Sequence, residues 1–388
     1  MKRNSNIHLA STDTCTGCAA CVSVCPTGSI SMKEDREGFL QPHIDTNTCI
    51  GCHKCEKTCP IITPLKIPTD FETQAYAAIN KDEAVRMRSS SGGMFHALAK
   101  WTIEQGGVVF GARFNEQWEV VHDYTESTEG IEPFMRSKYV QSRIGDTFKQ
   151  AKQFLDSGRQ VLFVGTPCQI GGLKSYLHKD YDNLLAVDLI CHGVPSPKVW
   201  REYLNETLRG DTLLDFNFRD KKDGWLNFQC VTTTTSNNTR REQQMANTYY
   251  RGFINGIYQR PSCYECNFKT LHRCSDITFA DAWGIQHYFP QMFDNKGSSL
   301  VLVHSFKAHK FFSRISNCQF ESVDLNQQPH WNPSIIKCVR NSRYKRWRFF
   351  FLYRLCGFKA ASFYMDKDNI FIRIIRKIKR IIKERYVI

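Results

Sequence analysis

Cys15-Thr-Gly-Cys18-Ala-Ala-Cys21-Val-Ser-Val-Cys25-Pro26 recurs downstream as Cys49-Ile-Gly-Cys52-His-Lys-Cys55-Glu-Lys-Thr-Cys59-Pro60. Each copy puts three thiols on one tight loop, where they can face a common point. A fourth thiol follows three residues later, and its spacing and the proline behind it turn it away from its own triad. Eight of the 17 cysteines lie in these two stretches. Four thiolates converging on one small cage are what a cubane iron-sulfur cluster requires, and two copies provide for two cages.

In the bacterial two-cluster arrangement the fourth cysteine of each copy ligates the other cluster. Cys15, Cys18, Cys21 and Cys59 are therefore assigned to one 4Fe-4S cluster, and Cys49, Cys52, Cys55 and Cys25 to the second. Paired C-x2-C sequences also make zinc sites, but two complete copies of the longer pattern point to iron and sulfide. The stretch from 10 to 65 resembles the two-cluster bacterial ferredoxins, with both motifs intact. Between the copies, Ile30-Ser-Met32 and Phe39 to Ile44 read as two short strands around a polar turn. Residues 1–65 form the expected ferredoxin domain. Pro60, Pro64 and Pro68 mark the way into a linker, placed at 66–72.

A chain of 388 residues has room for two or three domains. Apolar residues at 41 % and charged residues at 23 % exclude wholesale disorder. No apolar run is long enough for a spanning helix, and Met1 to Asn6 lacks the apolar stretch of a secretory signal. A cytoplasmic location with reduced cysteines is the expectation. The formal charge of +14 is concentrated in residues 343–388, which hold 14 Lys/Arg and 3 Asp/Glu. Nucleic-acid binding is not expected from so local an excess. No Ser-His-Asp or paired-carboxylate arrangement suggests hydrolysis. The absence of G-x-G-x-x-G argues against a Rossmann-type nicotinamide site.

Residues 73–342 read as one larger domain. Strands are expected at Gln74 to Asn80, Gly107 to Phe114, Trp118 to Tyr124, Gln160 to Gly165 and Leu184 to Cys191. Helices are expected at Met94 to Gln105, Asp146 to Leu155, Gln169 to Leu177 and Pro197 to Leu208. Asn217 to Thr235 has more β character. Recurring strand-turn-helix units place the chain in the α+β or α/β class: a small two-cluster domain, then a larger mixed α/β domain, then a basic helical tail at 343–388. In that tail Ile370 to Tyr386 is an expected helix, with Phe371, Ile374, Ile375, Ile378, Ile381 and Ile382 on one face.

A second set of thiols is dispersed. Cys168 follows a strand in Gly165-Thr-Pro-Cys168-Gln169, and Cys191 ends another in Cys191-His192-Gly193. Neighbouring strand ends open onto one edge of a sheet, where α/β folds bind ligands. Cys263-Tyr-Glu-Cys266 adds a chelating pair. Spacing alone allows a third cluster here, but equally a zinc-like C-x2-C with Cys274 and two core cysteines. Cys230, Cys318, Cys338 and Cys356 are isolated and read as structural.

Six segments in order, Ser89-Ser-Ser-Gly-Gly93, Ser137-Lys-Tyr-Val-Gln-Ser142, Gly165 to Gln169, Cys191-His-Gly193, Cys263 to Cys266 and Ser275 to Gly284, resemble the beta-subunit family of the coenzyme F-420 (deazaflavin) hydrogenases and dehydrogenases. The resemblance runs over residues 73–330. It implies FAD beside a third 4Fe-4S cluster, with a hydride passing between flavin and a deazaflavin or other organic substrate. It matches the cluster ligands to Cys168, Cys191, Cys263 and Cys266, and leaves out Cys274. It also matches Ser89, Ser90, Ser91, Gly92 and Gly93 to a loop near FAD, where small residues before a helix would let a pyrophosphate approach. Lys138, Tyr139, Gln141 and Ser142 match a segment expected to line the flavin. Lys138 and His192 are the candidates for a catalytic role. Lys138 would neutralise phosphate or reduced flavin, and His192 would donate a proton. Asp281 and Trp283 match an Asp-x-Trp-Gly element, in which core packing of Trp283 is at least as good a reading as stacking on a cofactor.

The expected function is that of an iron-sulfur flavoprotein oxidoreductase. It would pass electrons between the ferredoxin-type clusters and FAD, with a redox protein or ferredoxin and an organic hydride donor or acceptor as partners. Two alternatives stand beside it: a non-catalytic electron-transfer subunit of a larger complex, and a membrane-associated reductase in surface-polysaccharide synthesis. For the basic tail, an anionic membrane surface on the inner face competes with packing on its own domain.

Overall fold

The computed structural model describes residues 7–68, 70–236, 238–312, 314–315, 317–340 and 343–366. The first part contains α1 (Ala20–Val24), β1 (Ile30–Glu34), β2 (Leu40–Ile44) and α2 (Lys54–Thr58). β1 and β2 form an antiparallel hairpin, with Ile30 opposite Ile44 and Glu34 opposite Leu40. Its turn is set by Asp35, whose Oδ1 accepts from the N–H of Glu37 at 2.9 Å and of Phe39 at 3.0 Å.

The larger part begins with β3 (Gln74–Asn80), α3 (Glu83–Arg88), α4 (Met94–Glu104), β4 (Val108–Phe114) and β5 (Val120–Thr125). It continues through α5 (Thr147–Asp156), β6 (Val161–Val164), α6 (Pro167–Leu177), β7 (Leu184–Leu189) and α7 (Pro197–Leu208). A second, three-stranded antiparallel sheet follows, made of β8 (Leu213–Asp220), β9 (Gln229–Thr234) and β10 (Thr239–Gln243). Then come α8 (Thr248–Ile254), β11 (Ile277–Asp281), β12 (Ser299–Val303) and β13 (Cys318–Ser322). The main sheet has eight strands in the order β13-β3-β12-β11-β7-β6-β4-β5. β4, β6, β7 and β11 run parallel, and the outer strands pair antiparallel. The mixed α/β class expected from the strand-turn-helix pattern holds.

Parallel strands are apolar throughout because both faces are covered. β6, Val-Leu-Phe-Val, is buried at all four positions. On one face Leu162 and Val187 pack with Leu98 of α4; on the other Phe163 and Ala186 pack with Phe148 of α5 and Leu173 of α6. That second cluster also takes in Cys18, Ala19 and Ala20 of the ferredoxin-like part. A third, aromatic cluster fills the space between α7, α8 and the three-stranded sheet, with Trp200, Phe218 and Tyr249 at its centre.

Several boundaries differ from expectation in ways that matter for the site. β7 ends at Leu189, so Cys191 lies in the loop beyond it. α6 begins at Pro167, because proline is pre-set for the first helical turn, and this places Cys168 inside that turn. The β-rich stretch from Asn217 is two strands separated by a turn at Trp225–Asn227. Residues Arg343–Asp366 form a helix broken at Gly357 (φ 77°, ψ −179°). Phe349, Phe350, Tyr353 and Phe358 of this helix join the aromatic cluster, so packing continues across the boundary read at 342. The helix read at Ile370 to Tyr386 lies outside the described residues.

Candidate redox site

The repeat in sequence is a repeat in backbone. Gly17 (φ 71°) and Ala19 (φ 60°) in the first copy correspond to Gly51 (φ 67°) and His53 (φ 56°) in the second. These left-handed residues wind each loop so that its cysteines face inward before a single turn of helix begins. Cys25 and Cys59 leave α1 and α2 in the same extended conformation, φ −67°, ψ 114° and φ −76°, ψ 115°. Each fourth cysteine thereby crosses to the other loop. One hollow is lined by Cys15, Cys18, Cys21 and Cys59, walled by Leu9, Met32, Pro42 and Ile61. The other is lined by Cys25, Cys49, Cys52 and Cys55, walled by Ile7, Ile30, Ile44 and Ile50.

An all-sulfur donor set inside apolar walls is the chemistry that iron-sulfur cages select. Burial pushes the Cys18 thiol up to about 11, with Cys15 and Cys59 adding to the effect. Burial also raises the Cys21 thiol strongly, with Cys18, Cys15 and Cys59 as like-charged neighbours. Such thiols ionise only when a cation binds among them. Among the described residues no three Cys, His, Asp or Glu side chains close on the single point a lone metal ion needs.

At the edge of the main sheet where β6, β7 and β11 end, the dispersed motifs meet. Thr166 and Gln169 cap α6 reciprocally, and Thr166 Oγ1 lies 3.2 Å from Cys168 Sγ. Gly193 (φ 97°) lets the 259–263 segment close on the Cys191 loop: a Cβ there would lie 2.4 Å from Gln259 Oε1 and 3.2 Å from Cys263 Cβ. Its N–H donates to Cys191 Sγ at 3.3 Å, as Gly17 N–H does to Cys15 Sγ at 3.4 Å. Burial raises the Cys168 thiol first, and Cys266, Cys191 and Cys263 are its charged neighbours. Cys263 is pushed up to about 12 by burial, with Cys191 and Cys266 beside it. Four thiols thus share one neighbourhood. Cys274 sits elsewhere, beside Asp188, Lys174 and Arg273.

Two contacts tie the first hollow to this group. A Cβ at Gly172 of α6 would lie 2.9 Å from Cys18 Sγ, and Gly172 is one helical turn from Cys168. Arg260, fully buried and three residues before Cys263, donates to Cys15 O at 2.6 Å, Gln141 Oε1 at 3.1 Å, Leu40 O at 3.0 Å and Gln41 Oε1 at 2.9 Å. Cys52 of the other hollow is exposed. The three four-cysteine groups therefore form a series from the surface inward.

The residues matched to a flavin site are spread along the same edge. Ser90 Oγ accepts from Ser137 N–H at 2.8 Å, joining the serine loop to the Lys138 segment. Ser91 Oγ donates to Ser298 O, and Ser91 O accepts from Lys221 Nζ. Ser89 Oγ donates to Val85 O. Gly92 is required by packing, since a Cβ would lie 2.4 Å from Ala78 O; Gly93 (φ 84°) caps α4. Lys138 Nζ donates to Met135 O at 2.6 Å and to Arg136 O at 3.3 Å, and among the described residues no carboxylate pairs with it. Burial pushes it down to about 7, helped by Arg136. Tyr139 stacks on Phe253 with centroids 4.6 Å apart, in the aromatic cluster. Gln141 donates to Thr16 O at 3.1 Å and so belongs to the joint with the ferredoxin-like part. Ser142 Oγ accepts from Gln169 Nε2 at 2.9 Å, behind Cys168. His192 is exposed, with Nδ1 3.0 Å from Ser334 Oγ.

Asp281 and Trp283 have structural partners of their own. Asp281 pairs with buried Arg219 at 2.5 and 3.0 Å, and Trp283 stacks on Trp225 at 4.7 Å and 6°. Arg219 Nε is buried with no hydrogen-bond partner among the described residues. Lys138 and this spare guanidinium N–H give the edge a positive character that suits a dinucleotide's phosphates. Arg219, Lys221, Arg260 and Cys338 had not stood out in the sequence. Cys338 Sγ accepts from Cys266 N–H at 3.2 Å, and only the motif cysteine, 72 residues away, gives it meaning.

Residues 158–327 match the family described as the C terminus of the beta subunit of coenzyme F420 hydrogenase/dehydrogenase, and residues 14–61 match the 4Fe-4S dicluster domain. The chain is 27 % identical over 203 residues to a coenzyme F420-dependent sulfite reductase of Methanocaldococcus jannaschii, covering 51 % of this chain and 30 % of that protein. It is 24 % identical over 222 residues to a subunit of the F(420)H(2) dehydrogenase of Methanosarcina mazei, covering 53 % of this chain and 62 % of the relative. The chain thus spans less than two thirds of either relative. A chain of the F420-reducing [NiFe] hydrogenase complex from Methanosarcina barkeri aligns with TM-score 0.48 and 14 % identity, over 74 % of this chain and 96 % of that one. The protein is an iron-sulfur oxidoreductase relative, joining a 4Fe-4S dicluster domain to the C-terminal region of the coenzyme F420 hydrogenase/dehydrogenase beta subunit.

Proposed function

We propose that the chain is a flavin-dependent iron-sulfur oxidoreductase with three cluster sites and one FAD. The ligand sets are Cys15, Cys18, Cys21 and Cys59; Cys25, Cys49, Cys52 and Cys55; and Cys168, Cys191, Cys263 and Cys266. The observation that carries this reading is the series of three four-thiol groups, linked by the Cys18–Gly172 contact and by Arg260 between Cys15 and Cys263. Bound clusters supply one-electron transfer, and a flavin supplies the junction with two-electron hydride chemistry.

The chain's own residues do the positioning. Cys52 at the surface gives a redox protein its point of approach. Arg260 holds the ferredoxin-like part in register with the sheet edge. Ser90, Ser91 and Lys138 hold the FAD phosphates, and His192 stands at the exposed rim, where an organic hydride donor or acceptor would enter. Anaerobic purification with iron, sulfide and flavin quantitation tests the reading. About twelve irons and one FAD per chain are expected from three four-iron cages; a colourless preparation overturns it.

A second reading, an electron-transfer subunit that serves a partner enzyme, draws on the second relative being a component of a dehydrogenase. Turnover of a deazaflavin by the purified chain with reduced ferredoxin supports the enzyme. Turnover only after a partner is added supports the electron-transfer role.

A further inference from the structure

The helix at Arg343–Asp366 is apolar on two opposite faces. One face is anchored: Phe349, Phe350 and Tyr353 are buried in the aromatic cluster, and Arg346 pairs with Glu37. Beyond the break at Gly357, Glu206 caps the second segment by accepting from Phe358 N–H at 2.7 Å and Lys359 N–H at 2.6 Å. At 100° per residue, Tyr344, Trp347, Phe351 and Leu355 line up on the other side. These four are 46 % exposed or more, with Leu355 at 66 %. Trp347 and Phe351 stack on each other at 5.4 Å and 16°, forming a continuous aromatic ridge.

The ridge is bordered by charge of one sign. Arg343, Lys345, Arg346, Arg348, Arg354 and Lys359 are the charged residues from 343 to 364, with no Asp or Glu among them. The sequence then continues for 22 residues, 367–388, that carry eight Lys/Arg and two Asp/Glu. A second copy of this chain would bring positive charge against positive charge, and so would the chain's own C-terminal segment. An anionic lipid surface brings the opposite sign together with an apolar interior. Trp and Tyr settle at the headgroup level of bilayers, and basic residues strengthen binding to anionic leaflets. Among the described residues no helix is long and apolar enough to cross a membrane, and a helix held to its domain by one face lies along a surface.

We infer that the Tyr344–Trp347–Phe351–Leu355 ridge seats the protein on an anionic membrane surface. The inference is independent of which substrate the redox site takes. Flotation of the full chain with phosphatidylcholine vesicles, with and without phosphatidylserine, tests it. Binding is expected with phosphatidylserine and at least tenfold weaker without it. Burying one large apolar side chain strengthens binding by roughly tenfold or more. Trp347→Ser/Phe351→Ser/Leu355→Ser should therefore cut flotation at least tenfold while leaving the iron content and thermal transition unchanged. No flotation of the unaltered chain overturns the inference, as does equal flotation of the triple variant. Self-association in sedimentation that the triple substitution abolishes, without flotation, also overturns it.

Discussion

Cys18 Sγ lies 2.9 Å from where a Cβ on Gly172 would stand. α1 and α6 can approach this closely only because position 172 carries no side chain. The contact is the narrowest point between the ferredoxin-like part and the helix that carries Cys168. Alanine in a helix interior is ordinarily better than glycine by about 1 kcal/mol. Overpacking a close contact costs about 1–3 kcal/mol. Here the clash should win, because the nearest atoms are the Cβ and Sγ of a cluster-site cysteine and the Phe148 ring at 3.4 Å. Gly172→Ala should lower the thermal transition and reduce iron by up to about four atoms per chain, one cage's content. Unchanged iron and an unchanged or raised transition would show that the two helices separate freely.

Arg260 makes the second link, with a planar fork that satisfies four acceptors on both sides of the joint. Lysine cannot reproduce that geometry. Arg260→Met should leave Cys15 O and Leu40 O unsatisfied at about 1–3 kcal/mol each. The expected result is faster proteolytic cleavage in the 62–73 segment, which carries no helix or strand, together with slower reduction of the inner site. Cleavage at the unaltered rate would mean the packing of α1 on α6 alone holds the two parts together.

Substitution of the strand-edge thiols separates them from their neighbour in sequence. Cys168→Ser or Cys263→Ser should remove about four irons from a complement of about twelve. Cys274→Ser should remove none, since its surroundings are Asp188, Lys174 and Arg273. Iron and sulfide analysis of the three variants, with electron paramagnetic resonance of the reduced proteins, is the measurement. Equal losses in all three would return Cys274 to the ligand set.

How far the residues alone reached follows from the range of the interactions. The crossing of Cys25 and Cys59 was legible because it is local: spacing and proline turn the chain within one helical turn. The helix Pro197–Leu208 was read to the residue from Ser196, which caps it, and Pro197 behind it. Long-range partners were not legible. Nothing near Gln141 in sequence shows that it faces Thr16 and Arg260, and a segment reading placed it beside a flavin. The Arg219–Asp281 pair and the approach of Cys338 to Cys266 depend on the sheet edge gathering distant loops. Gly92 looked like a cradle for a ligand, whereas its first requirement is the passage of Ala78 O beneath it.

Lys138 makes the site sensitive to pH. Burial, with Arg136 nearby, holds its ammonium down to about 7, against an ordinary value of 10.5. Between those two values the unfolded chain binds the proton and the folded chain does not, so this residue makes stability rise with pH across that window. Below about pH 7 both states are protonated, and the full cost of burying the charge remains. Lys138→Met should therefore stabilise the flavin-free protein most at pH 6 and progressively less toward pH 10. Adding FAD should reverse the sign at neutral pH, because a bound phosphate favours the ammonium that methionine lacks. Denaturation midpoints across that pH range, with and without FAD, check both halves. A Lys138→Met effect that is flat with pH would place the lysine in water, and one that FAD leaves untouched would remove it from the phosphate site.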